Sequence, residues 1–184
     1  GLTVVEPSCE AEVESLVEWA VVENKGSSYI RLMSLPVVTN FSLPLDYVPQ
    51  IGKGIQVAPG NDALIFTYGP QMLTNAVTAA SDIKNSSGLN VGVINLPWLN
   101  TIDEAWLRST VQSVENIFCI DNHYAIGGLS DRMASVISRD ANINVTLKSI
   151  SLNEVPACGT NDEIMAFHGF DIETIIKVVR DTIE

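Results

Sequence analysis

Phe118-Cys-Ile-Asp-Asn-His-Tyr-Ala-Ile-Gly-Gly-Leu-Ser-Asp-Arg-Met-Ala-Ser-Val-Ile137 decides the reading of the fold. Ile117 to Ile120 is a short apolar run of the kind that suits a strand buried on both faces. Asp121, Asn122 and His123 end that run with polar side chains. Gly127 and Gly128 then open a helix whose apolar side is Leu129, Met133, Val136 and Ile137, at helical spacing. A buried strand feeding a glycine-started helix is half of a βαβ unit.

Upstream, the same alternation repeats. Asn90 to Leu96 reads as a buried strand, followed by a helix capped by Thr101 or Asp103 and carrying Ala105, Leu107 and Val111. Gly69-Pro70 starts a helix that runs through Ala80 and Ile83. Gly54 to Val57 and Ala63 to Thr67 flank the turn-forming Ala58-Pro-Gly-Asn-Asp62, which predicts that they pair as an antiparallel hairpin. Downstream come a strand from Val145 to Ile150 and helices over Asn161–Phe167 and Asp171–Ile183, with Gly169 placed to end the first. Strands alternating with helices after one hairpin predict a three-layer α/β/α domain, its sheet mostly parallel with one antiparallel edge strand.

The N-terminal part reads differently. Leu2–Val5 is a short strand, with Ser8 as the expected N-cap of a helix and Glu10 and Glu12 in its first turn. Val13, Leu16, Val17, Ala20 and Val21 mark its expected buried face, and Glu10, Glu14 and Glu18 form a solvated stripe opposite. After the Lys25-Gly26-Ser27-Ser28 turn, Tyr29–Leu32 is the next strand. This is a partial βαβ unit, and two parallel strands do not make a domain. The expectation is that residues 1–32 end a larger domain, that the proline-bearing 33–50 is a linker, and that 51–184 forms the α/β domain.

Composition limits the function. The 184 residues are 46% apolar, enough for a sizeable core, and no run approaches the ~20 apolar residues of a membrane span. Twenty-two acids against 10 bases give a net charge of −12, which disfavours nucleic acid and anionic membranes as partners. Cys9, Cys119 and Cys158 lack CxxC spacing, and no signal peptide is evident, so a cytoplasmic protein with reduced thiols is expected. Three glycosylation sequons, at Asn40, Asn85 and Asn144, are then chance matches. Gly52-Lys53-Gly54 is too short for a dinucleotide fingerprint, and no Cys/His/Asp spacing supports a metal site.

The order of motifs resembles the transketolase family. The Asp121-Asn-His-Tyr-Ala-Ile-Gly-Gly128 block is similar to that family's Glu-(Asp/Glu)-His-(three residues)-Gly-Gly-(Leu/Ile)-Gly, departing from it at Asn122 and Ser130. Gly1-Leu-Thr-Val-Val-Glu-Pro-Ser8 and Tyr29-Ile-Arg-Leu32 resemble the end of its middle, pyrimidine-binding domain. Gly60 to Gly69, Asn90 to Asp103, and Gly159 to Ile176 resemble successive blocks of its C-terminal domain. The resemblance implies the C-terminal section of a thiamine-diphosphate enzyme that transfers a two-carbon ketol unit between sugars. It implies that thiamine diphosphate and Mg²⁺ are bound outside this chain, by N-terminal and middle domains of the same enzyme or a partner subunit. It further implies a homodimer, with this section mainly serving assembly and subunit contacts, and no catalytic residue in the chain.

One departure bears on substrate. Members that act on sugar phosphates carry Tyr-Ile-Arg-Leu-x-Arg, whose second Arg grips the phosphate; here Ser34 stands in its place. A hydroxyl does not replace a charged bidentate donor. Arg31 and Ser34 are thus the substrate-side candidates, with Arg31 expected to serve its strand structurally. His123, Gly127 and Gly128 are candidates for a ligand or interface role, because α/β sheets place ligands at the C-terminal ends of their strands; packing is the competing reading for His123. Two alternatives stay open: the C-terminal part of a 2-oxo acid dehydrogenase beta subunit, and a non-catalytic assembly or regulatory module.

Overall fold

The computed structural model describes residues 1–183, so Glu184, the last residue of the expected 51–184 domain, lies outside the described residues. The elements in chain order are β1 (Leu2–Val5), α1 (Glu10–Glu18, continued by a π-helical turn Trp19–Glu23), β2 (Ser27–Ile30), β3 (Ile55–Ala58), β4 (Ala63–Thr67) and α2 (Pro70–Ser87). There follow β5 (Val91–Asn95), α3 (Glu104–Val111), β6 (Asn116–Tyr124), α4 (Leu129–Arg139), β7 (Thr146–Leu152), α5 (Asn161–His168) and α6 (Ile172–Ile183). The main sheet has the order β3-β5-β4-β6-β7; β5, β4, β6 and β7 are parallel and β3 is antiparallel to β5.

The sequence pattern explains the layers. β4 and β5 are buried at every position, which requires a covering on both faces. Successive strand residues point to opposite sides. Leu64, Phe66, Ile94, Ile117 and Cys119 therefore meet Leu107 and Val111 of α3 and Met133 and Val136 of α4 on one face. Ala63, Ile65, Val93, Phe118 and Ile120 meet Met72, Ala76 and Ile83 of α2 and Ile175 and Val179 of α6 on the other. Burying one such aliphatic side chain contributes roughly 1.5–3 kcal/mol. This is the expected three-layer α/β/α arrangement.

β1 and β2 form a separate parallel pair, from Leu2↔Ser27 to Val5↔Ile30. The pair is attached to the main sheet just beyond β5. Glu6 N–H donates to the Pro97 carbonyl at 3.0 Å, Leu99 N–H donates to the Val4 carbonyl at 2.9 Å, and Val5 bridges Trp98. Leu16 and Trp19 of the α1 segment enter the same core as α3 and α4, with the Trp19 and Trp98 rings edge-on at 4.8 Å. Residues 33–50 contain no helix or strand. They are laid over α2 through the Asn40 side chain, which donates to Thr78 Oγ1 at 2.8 Å, and through Phe41, which packs on the α2 side of the core.

Four local expectations are corrected. β3 does not pair with β4: it lies beside β5, because the Pro59–Asp62 turn crosses the start of β5, where Asn61 and Asp62 N–H both donate to the Asn90 carbonyl at 3.0 Å. The buried side of α1 is Glu12, Leu16 and Trp19, while Val17 and Val21 are 41% and 79% exposed, because a carboxylate satisfied by Asn95, Tyr47 and the Ser8 N–H displaces the valines from the core. Ser8 does not cap α1; Cys9 holds that position without a side-chain bond, and the Ser8 hydroxyl is buried instead against Asn95. β6 does not stop at Ile120 but pairs with β7 as far as Tyr124, with an irregularity after Asp121. The Glu10, Glu14 and Glu18 stripe is exposed as read, and Asp103 caps α3 by accepting the Trp106 N–H at 2.8 Å.

Candidate functional site

The parallel strands β4, β5 and β6 run towards one side of the sheet, where Tyr68 and Leu96 follow the last residues of β4 and β5 and Asp121 lies in the last stretch of β6 paired with β7. Polar side chains gather there. Asp121 is fully buried; its Oδ1 accepts from the Tyr68 hydroxyl and its Oδ2 from the Ser130 N–H at 3.1 Å. That second bond places the Asp121 carboxyl at the N-terminus of α4, where free N–H groups need an acceptor. Gly127 N–H is met by Asp131 Oδ2 at 3.1 Å. The helix start that the Gly127–Gly128 pair opens is therefore engaged by the chain's own carboxylates.

The β1–β2 unit brings two more charges to the same place. Glu6 is 1% exposed, and its Oε2 lies 2.7 Å from Arg31 Nε. The Arg31 guanidinium also sits 5.9 Å from the Tyr68 ring centroid, over its face, and Nη2 donates to Asn122 Oδ1. Burial pushes the Glu6 carboxyl up to about 7, with Arg31 opposing and Asp121 adding to the rise. Tyr68 is raised, first by burial and then by the Asp121 charge and hydrogen bond.

A second cluster lies at the end of β5. Glu12 is fully buried, and its Oε1 accepts from Asn95 Nδ2 at 2.8 Å and from the Tyr47 hydroxyl at 3.0 Å. Its Oε2 accepts the Ser8 N–H at 2.7 Å. Burial raises the Glu12 carboxyl and these three donors oppose the rise. One carboxylate thus ties together α1, the end of β5 and the 33–50 segment.

The sequence candidates fall unevenly around these clusters. Arg31 reaches the tip of β6, so it and the Asp121–Gly128 block meet through Asn122. His123 stands exposed, its Nδ1 3.3 Å from the Tyr124 carbonyl. Ser34 is exposed, and its neighbours Met33 and Leu35 line a cleft of about 950 Å³ between the N-terminal half of α1 and residues 32–47. Glu6, Glu12, Tyr68 and Asn95 escaped the sequence reading. Their signal was weak, since each is one polar residue beside an apolar run and their partners lie far away in the chain.

The cleft does not suit a diphosphate. The charged side chains on its wall are Glu10 and Glu14, and no Lys, Arg or His lines it among the described residues. No group of three His, Cys, Asp or Glu residues that would hold a metal occurs among the described residues. No described helix is long and apolar enough to cross a membrane.

A mixed sheet between helical layers, with its polar cluster at the C-terminal strand ends, defines a three-layer α/β protein of the kind that places ligands there. Residues 52–175 match the transketolase C-terminal domain family, to which the chain belongs. It is 25% identical over 188 residues to an uncharacterized transketolase family protein of Sinorhizobium fredii, covering 100% of this chain and 53% of that one. A Methanocaldococcus jannaschii protein described as a transketolase C-terminal section is 24% identical over 182 residues, covering 98% and 55%. The chain thus spans about half the length of these two relatives. Among solved structures, a split-gene transketolase described as an inactive β4 tetramer shares the fold, with a TM-score of 0.88 and 24% identity over 99% of this chain and 58% of that one.

Proposed function

We propose that this chain is the C-terminal section of a thiamine-diphosphate-dependent enzyme that transfers a two-carbon ketol unit between sugars. The observation that carries the reading is coverage: relatives in the family align with 98–100% of the chain, so residues 1–51 belong to the same arrangement as the matched 52–175. In this reading residues 1–32 complete a middle, pyrimidine-binding domain, 33–50 link it to the C-terminal domain, and 51–184 form that domain. Thiamine diphosphate and Mg²⁺ bind on N-terminal and middle domains of the same enzyme or of a partner subunit. The protein works as a cytoplasmic homodimer to which this section contributes subunit contacts. Three free cysteines support a reducing compartment, and the exposed apolar side chains Val21, Val22 and Tyr29 support a covering over the β1–β2 unit.

Within the assembled enzyme, Arg31 and Ser34 lie on the substrate side, His123 at a ligand or subunit contact, and Gly127 and Gly128 shape the α4 start beside it. Arg31 is engaged by Glu6 and Asn122, and Ser34 carries no charge. A sugar phosphate therefore lacks the guanidinium that other members supply, and phosphorylated acceptors are weakly preferred. The test assembles the chain with the section carrying the other two domains from the same organism. Transfer from a ketose to matched phosphorylated and unphosphorylated aldoses is then assayed. Ser34→Arg is expected to raise kcat/KM for the phosphorylated aldose roughly ten- to a hundredfold. Cofactor binding without ketol transfer to any aldose would overturn the reading.

A further inference from the structure

The junction between the β1–β2 unit and the main sheet holds two buried acids for one cation. Glu6 is 1% exposed and Asp121 is 0% exposed, and Arg31 is the guanidinium between the two elements that carry them. The groups facing Glu6 are Arg31 from the end of β2, Asp121 from β6 and Tyr68 from the turn after β4. A guanidinium stays charged at any pH of interest. With both acids ionised, the cluster carries one uncompensated negative charge out of water.

The two acids are not equally provided for. Asp121 accepts from the Tyr68 hydroxyl and the Ser130 N–H. Glu6 Oε2 is close to Arg31 Nε yet has no aligned hydrogen-bond donor among the described residues. The proton that balances the cluster therefore belongs on Glu6. The Glu6 carboxyl is also wedged in place: a Cβ built on Gly69 would stand 2.2 Å from Glu6 Oε1. It reaches water only if the unit lifts away from the turn after β4.

We propose that docking of the β1–α1–β2 unit onto the five-stranded sheet is proton-linked, with a proton on Glu6 seating the unit and loss of that proton loosening it. The proposal stands independently of the ketol-transfer reading. Its sign is opposite to that of a simple ion pair, which would tighten as the glutamate ionised. Undocked, Glu6 meets water and titrates at the ordinary 4.5; docked, it is held up to about 7. The docked state therefore binds the proton more tightly between those values, and docking weakens as pH rises through that window and levels off above it. The full span, from 4.5 to about 7, corresponds to a change of roughly three-hundredfold in the docking equilibrium. Glu12, buried at the same junction and also raised, contributes in the same direction, so the measurement must single out Glu6.

Trp19 and Trp98 provide the reporter, because their edge-on contact joins the unit to the segment after β5. Tryptophan fluorescence and hydrogen exchange of residues 2–30 are followed on the 1–184 chain from pH 5 to pH 8.5, with exchange corrected for its intrinsic pH dependence. Opening is expected to increase as pH rises towards neutrality and then to level off. In Glu6→Gln, a neutral side chain of the same shape, that component is expected to vanish and the unit to stay docked at pH 8. Opening that does not change with pH, or that keeps the same dependence in Glu6→Gln, overturns the proposal. The carboxyl ¹³C shift of Glu6 in the unsubstituted protein gives a second reading that needs no variant. A midpoint near 7 supports the proposal, and one near the ordinary glutamate value overturns it.

Discussion

Replacing each of the two adjacent glycines at the start of α4 by alanine separates two physical reasons for the same residue. Gly127 has φ +81°, and a Cβ placed on it would meet nothing within 4 Å. Its alanine variant therefore bears only the left-handed backbone cost, about 1–2 kcal/mol. Gly128 has φ −84°, which any residue adopts. Its difficulty is space, for a Cβ there would stand 2.3 Å from Asp121 Oδ2 and 2.6 Å from the Tyr124 carbonyl oxygen. Contacts that short force the buried carboxylate to move. Overpacking costs about 1–3 kcal/mol, and weakening the Ser130 and Tyr68 bonds to a charged acceptor adds about 1.5–3 kcal/mol. We expect Gly128→Ala to destabilise by about 3–5 kcal/mol, several times the Gly127→Ala effect. In urea unfolding followed by circular dichroism, with a slope near ~2 kcal/mol per molar, the midpoint should fall by about 1.5–2.5 M for Gly128→Ala and about 0.5–1 M for Gly127→Ala. Amide exchange at Ser130 should accelerate only in the former. Equal midpoints for the two variants would refute the steric account of Gly128.

Two further outcomes follow from the buried carboxylates. Tyr68→Phe removes the hydroxyl that donates to Asp121 Oδ1, and the chain should lose about 1.5–3 kcal/mol by the same urea measurement; a loss under about 0.5 kcal/mol would mean that the hydroxyl is dispensable. Tyr47→Phe removes one of three donors to Glu12 but leaves Asn95 and the Ser8 N–H in place. It should cost only about 1 kcal/mol in the melt yet make residues 33–50 cut faster by a nonspecific protease, and unchanged cutting would show that Tyr47 does not hold the segment.

Local patterns carried the layer architecture because burial on both faces leaves a continuous apolar run. β4, β5 and the first half of β6 show it as Ala63–Phe66, Val91–Ile94 and Ile117–Ile120. Helix ends were legible for the same local reason: Asp103 and Gly169 satisfy or terminate backbone bonds within three or four residues of themselves. The motif order that identifies the family also depends on sequence alone. The departure at Ser34 is read there and cannot be seen in the backbone.

What only the tertiary structure decided is where polar groups find partners. The Gly54–Val57 run has strand character whichever neighbour it takes; pairing with β5 rather than β4 follows from how the Pro59–Asp62 turn meets Asn90. Val17 and Val21 of α1 read as core and Glu12 as a first-turn acid, until Asn95 and Tyr47 converge on Glu12 from distant parts of the chain. Glu6 and Asp121 likewise look like ordinary surface acids in the sequence. A buried carboxylate is tolerated only where donors or a cation meet it, and those are assembled by the fold, so its burial is written in no stretch of sequence around it.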